Sequence, residues 1–109
     1  MSDLPKPFRK FQADFPKLSQ AYEALGKVAS ESGPLEPKIR ELIKLGMAAG
    51  RGSESAVHSH TFRALESGAS SAEIEHAILL GITTMGFPTM MAALTWAKEA
   101  IEKHEKKGE

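Results

Sequence analysis

The sequence predicts an all-α fold, a compact bundle of about five helices built to oligomerise. Three observations carry that prediction. Apolar residues recur at three- and four-residue spacings in segment after segment. Pro and Gly fall between those segments as punctuation. No stretch sustains the two-residue alternation of a half-buried strand, and β-branched residues are few. A chain of 109 residues holds one core, so residues 1–109 read as a single domain.

Residues 1–13 read as a loose start with a short turn around Phe8 and Phe11. Asp14-Phe15-Pro16 opens the first helix, because proline is tolerated in a first turn. Leu18, Tyr22, Leu25 and Val28 then form one apolar face, and Ser32-Gly33-Pro34 ends the helix. Pro37 opens the second helix. Its expected inward stripe is Ile39, Leu42, Ile43, Gly46 and Met47, and Gly50-Arg51-Gly52 stops it. The third helix is expected from about Ser53 to Ser67, with Gly68 as its terminator. Its stripe is Ala56, Val57, His60, Thr61, Ala64 and Leu65.

Ser70 and Glu73 have the spacing of a capping box. The fourth helix follows, reaching Met85, with Ile74, Ala77, Ile78, Gly81 and Ile82 inward. Gly86 ends it and Pro88 starts the fifth, which runs to about Glu105. Lys98–Glu102 and Glu99–Lys103 stand at i,i+4 spacing there, and Lys106 to Glu109 are expected to fray.

Composition removes several classes of function. Fourteen basic residues balance fourteen acidic ones, so there is no surplus of cations for phosphate recognition and no nucleic-acid partner is expected. There is no cysteine, which excludes a disulfide scaffold and any thiolate chemistry carried by this chain. The same absence suits a reducing cytoplasm, and Met1 to Lys10 lack the apolar core of a signal peptide.

Ala77 to Ala97 contains no charged residue and is long enough to span a bilayer. Gly86-Phe87-Pro88 breaks it in the middle, so a buried helix pair is the expected reading, with no membrane partner. The first half of the fifth helix is apolar on nearly every side, and so short a chain has little to cover it with. A homo-oligomer joined through Met85, Met90, Met91, Leu94 and Trp96 is therefore expected, since methionine and aromatics are enriched in interface cores.

Two polar residues stand out. His60 lies inside the apolar stripe of the third helix, where both a satisfied core histidine and a proton-transfer group fit. Glu41 sits at the edge of the second helix's apolar face, about 100° from Leu42, where surface carboxylate and catalytic partner both fit. Brought together, the two would make a proton-transfer pair for a small-molecule substrate. His58 and His60 form a His-x-His pair, but on a helix they point about 200° apart and cannot share a metal. Glu54 and His58 at i,i+4 make half a metal site or, more simply, a solvent-side ion pair, so no metal is expected. His76 and His104 read as surface residues.

From Arg40 to Ala97 the chain resembles the carboxymuconolactone decarboxylase family, which includes the alkylhydroperoxidase-D-like proteins. The residues that carry the resemblance are Arg40-Glu41-Leu42-Ile43, then the run from His60 to Ser70, then Ala72-Glu73-Ile74-Glu75-His76-Ala77, and finally Gly86-Phe87-Pro88 with Ala92-Ala93. The resemblance implies that the family's two redox cysteines fall on Ser53 and Ala56, and that both thiols are lost. Its relay Glu falls on Glu41 and its relay His on His60; a second relay His falls on Ser55 and is lost. Peroxide reduction needs a thiolate, so family-type peroxidase activity is disfavoured.

The family's decarboxylase branch also lacks the cysteine pair and keeps the run His60, Ala64, Gly68. That likeness implies cofactor-free removal of carbon dioxide from a small carboxylated or lactone substrate. His60 would be the catalytic acid/base and Glu41 its partner, with His58, Phe62 and Trp96 lining the pocket. It also implies a trimer or hexamer. The rival expectation is a non-catalytic oligomeric binding or scaffold protein that has lost the thiols.

Overall fold

The structure, a computed structural model, describes residues 6–108. The expected loose start over residues 1–5, and Glu109, lie outside them. The chain groups into two compact units divided after Pro34. Six α-helices and one 3-10 turn make up the secondary structure of the described residues.

The first unit holds α1 (Lys6–Asp14) and α2 (Pro16–Ser30). A helix therefore stands where a loose start was expected. Phe8, Phe11 and Phe15 recur at helical spacing, and the rings of Phe11 and Phe15 lie 5.8 Å apart. Pro16 takes the first turn of α2, as its fixed backbone angle favours. The apolar face of α2 does not become core. Leu18, Tyr22, Leu25 and Val28 stay about 60% exposed, while Ser19 is buried.

The second unit holds α3 (Pro37–Arg51), α4 (Glu54–Glu66), α5 (Ser71–Leu79), the 3-10 turn Leu80–Thr83 and α6 (Phe87–Gly108). Its core joins Leu45, Ala48 and Ala49 of α3 to Val57 and Ala64 of α4. Ile74 and Ile78 of α5, with Met90, Ala93, Ala97 and Ile101 of α6, complete it. Alanine is frequent because it lets helix backbones approach closely.

The buried face of α3 is only partly the expected one, for Leu42 alone of the bulky residues in that stripe packs against the core. Ile39, Ile43 and Met47 are exposed, and Leu45, Ala48 and Ala49 are buried in their place. Ile82, expected inward, is also exposed.

The ends of the helices follow local chemistry. Gly52 closes α3 at φ +69°, the left-handed region where a Cβ is strained, and its N–H bonds back to the Ala49 carbonyl at 3.0 Å. Ser53 caps α4. The Ser70–Glu73 capping box is formed reciprocally, with Glu73 N–H donating to Ser70 Oγ at 3.1 Å and Ser70 N–H to Glu73 Oε1 at 2.9 Å.

The fourth expected helix stops early. α5 ends at Leu79, and the chain tightens into a 3-10 turn around Gly81, over which the Met85 side chain folds. The last helix runs longer than expected, to Gly108 instead of fraying from Lys106. The uncharged stretch 77–97 is thus divided between two helices, and no helix among the described residues is long and apolar enough to cross a membrane.

Candidate functional site

Glu41 on α3 and His60 on α4 meet. His60 Nδ1 lies 2.9 Å from Glu41 Oε1. A carboxylate only accepts hydrogen bonds, so Nδ1 carries the proton and donates it. In the neutral ring that leaves Nε2 with a free lone pair, able to take a proton from a bound molecule or, once protonated, to give one. A hydrogen bond to a charged group adds about 1.5–3 kcal/mol to stability. What it does firmly is fix the tautomer and the orientation of the imidazole.

The side chains of His60 and Glu41 are 20% and 16% exposed. They are sheltered enough to be fixed and open enough to be reached. The reason they meet is local. Gly52 and Ser53 join α3 to α4 in two residues, which forces the helices into an α-hairpin with facing flanks.

The two positions implied for lost cysteines sit on the first turn of α4. The Ser53 side chain accepts from the Ala56 backbone N–H at 3.3 Å, so this serine acts as a helix cap. Ala56 packs against the core. No cysteine is present to replace either thiol.

The other named residues make contacts of their own. His58 points to α6 and lies 3.2 Å from Glu99. The ring of Phe62 stands 6.1 Å from that of His104, with the Lys107 ammonium 6.0 Å from its centre. Trp96 is half-buried against the core. His104 is more than a surface residue, since Nε2 lies 3.2 Å from Glu66 and the ring packs on Phe62. His76 is exposed, as expected.

The i,i+4 pairs expected along the last helix give way to pairs between helices. Lys98 reaches Glu75 at 3.9 Å and Glu99 reaches His58. Met90, expected at an interface, is 2% exposed and belongs to the chain's own core; Met91 beside it is 38% exposed.

An apolar hollow of about 460 Å³ opens between α3 and α5, lined by Ile39, Ile43, Gly46, His76, Ala77 and Leu80 among others. Neither Glu41 nor His60 lines it.

The comparisons with known proteins agree with the helical fold. The carboxymuconolactone decarboxylase family profile matches residues 16–99, from the start of α2 into α6. The chain belongs to the carboxymuconolactone decarboxylase family. Among solved structures, a family member from Legionella pneumophila superposes with a TM-score of 0.78 at 25% identity, over 89% of this chain and 86% of that one. A carboxymuconolactone decarboxylase candidate from Burkholderia xenovorans superposes at 0.73 with 26% identity, over 98% and 86%.

In sequence, an uncharacterized protein of Haemophilus influenzae is 41% identical over 59 residues, which is 54% of this chain and 52% of that protein. The chain therefore spans about half the length of that relative. An uncharacterized protein of Cupriavidus necator is 25% identical over 93 residues, 85% of this chain and 82% of that protein. Family membership gives the chain a known helical scaffold.

Proposed function

We propose that this member of the carboxymuconolactone decarboxylase family is a cofactor-free acid/base enzyme that decarboxylates a small carboxylated or lactone substrate. The 2.9 Å contact between Glu41 and His60 in a half-sheltered place is the observation that carries the reading. Loss of carbon dioxide breaks a carbon–carbon bond and leaves its electron pair on carbon. An adjoining unsaturated lactone carbonyl delocalises that pair. His60 Nε2, once protonated, delivers one proton to quench it, while Glu41 holds the ring and stabilises its positive charge. Thiol peroxidase chemistry has no support, because the chain has no cysteine.

The test is carbon dioxide release from carboxymuconolactone, with His60→Ala and Glu41→Gln alongside the native protein. General acid–base catalysis is worth about 10²–10⁴-fold, so His60→Ala is expected to lose that much turnover with its helical circular dichroism unchanged. Glu41→Gln still fills the space and is expected to lose less, mainly in kcat. Full turnover in His60→Ala would falsify the mechanism.

The rival reading is a binding or scaffold protein without catalysis. The exposed apolar faces favour it: Leu18, Tyr22, Leu25 and Val28 on α2, with Ile43 and Met47 on α3. So much exposed apolar surface also supports association of copies, which we propose as a trimer or hexamer using these faces together with Met91. Native mass spectrometry separates the cases. A monomer removes the association, and intact turnover by the oligomer removes the scaffold reading.

A further inference from the structure

The opposite side of α4 carries a second constellation that the acid/base chemistry leaves unused. His58 and Glu54 stand one turn apart on α4, and Glu99 of α6 closes over them. One ligand atom from each lies within 4.8 Å of the other two. His58 Nε2 and Glu99 Oε1 are already 3.2 Å apart. A tetrahedral zinc ion with bonds of about 2.0–2.1 Å spaces its ligand atoms roughly 3.3–3.4 Å apart.

His58 and Glu99 are thus already together, and the two exposed carboxylates, Glu54 and Glu99, need only turn to face an ion on Nε2. We propose that Glu54, His58 and Glu99 bind a divalent first-row metal ion, zinc by preference, with an open position for water.

The donor set selects the metal. An imidazole nitrogen favours zinc and its neighbours over calcium or magnesium, which prefer an all-oxygen shell. The backbone half of the site is ready-made. α4 and α6 are packed against each other by Val57, Ala64, Ala93 and Ala97, so bringing Glu99 to α4 costs no rearrangement of the helices. In the metal-free state the imidazole donates Nε2–H to the Glu99 carboxylate; binding requires that nitrogen to be bare. The metal takes the place of that proton, which moves to Nδ1 or leaves, so binding weakens in acid. The bound ion would tie α4 to α6 on the side of α4 away from His60.

The chain contains its own control. His104 and Glu66 form a two-residue pair at the same 3.2 Å, also between α6 and α4, but are not part of a three-ligand cluster. Two donors without a third should bind a metal far more weakly. The proposal is independent of the decarboxylase reading, since it uses neither Glu41 nor His60.

The experiment is calorimetric titration of the metal-free full-length protein with zinc chloride, beside His58→Ala, Glu99→Gln and His104→Ala. Circular dichroism of each variant checks the fold. Saturation at one zinc per chain is expected. Changing a mere supporting neighbour of a ligand costs about 10–100-fold in metal affinity, so losing a ligand should cost at least about tenfold in both His58→Ala and Glu99→Gln. His104→Ala is expected to bind as the native protein does. Absence of saturable one-to-one binding overturns the site. So does native affinity in His58→Ala, or a loss confined to His104→Ala.

Discussion

His58 and His60 stand two residues apart on α4, yet one meets an acid from α6 and the other an acid from α3. The helical turn separates them by about 200°, so each belongs to a different interhelical seam. The His60 pair is sheltered, at 20% and 16% exposure. In the His58 pair, Glu99 is 52% exposed. The difference teaches that a short histidine motif has no single meaning. The packing neighbour decides the chemistry, and burial decides how firmly the acid is held. The sheltered pair suits a reaction that needs a fixed tautomer; the open one suits a ligand that arrives from solvent.

The largest expected effect breaks or upholds that division. His60→Ala should remove about 10²–10⁴-fold of turnover, while His58→Ala in the same assay should leave it within about twofold. Equal losses would mean that the two seams act as one site.

The second contrast lies within α3. Leu45 is fully buried and Met47, two residues on, is 64% exposed. Leu45→Ala should cost about 2–5 kcal/mol in urea unfolding, the usual cost of removing a buried side chain and leaving a cavity. Met47→Ala should stay within about 0.5 kcal/mol of native at low protein concentration. If Met47→Ala becomes costly as concentration rises, a second copy covers that face, and the exposed stripe of α3 is an interface.

These contrasts show what the sequence can and cannot reveal. The Ser70–Glu73 capping box was legible because both halves lie within one turn, and Pro16 and Pro37 marked helix starts for the same local reason. Family likeness, not spacing, brought Glu41 and His60 together, because they are 19 residues apart on different helices. Glu99 lies 41 residues from His58, and no local pattern joins them.

The face of α3 departs from the expected stripe for a physical reason. Ile39, Ile43 and Met47 make the bulkier stripe, but Ala48 and Ala49 allow the closer helix approach, and close packing decided. α1 was missed because its Phe8 and Phe11 spacing is diluted by lysine, arginine and proline.

A smaller effect is expected inside α4. Thr61 is fully buried next to His60 in sequence, and its hydroxyl has no hydrogen-bond partner. An unsatisfied buried polar atom costs about 1–3 kcal/mol, and valine has nearly the same shape without the hydroxyl. Thr61→Val should therefore raise unfolding stability by about 1 kcal/mol with turnover unchanged. A loss of activity without a loss of stability would show that the hydroxyl serves the neighbouring imidazole after all, and would enlarge the sheltered site by one residue.

The smallest effect concerns Glu73, where α5 begins. Its carboxyl is held below the ordinary value of 4.5, first by the hydrogen bond from the Ser70 backbone N–H and then by the Lys38 side chain 3.1 Å away on α3. A depressed value in the folded state means that the charged form is favoured by folding. Its contribution is complete above the unfolded value and is lost as pH falls through the folded one. The stability difference between native protein and Glu73→Gln should therefore be constant above about pH 5 and shrink as the solution is made more acid. The side chain is 44% exposed, so the difference is small and salt should reduce the part owed to Lys38. Thermal melts across that range, with and without added salt, read it out. A difference that does not change with pH would show that the tie between α3 and α5 carries no charge.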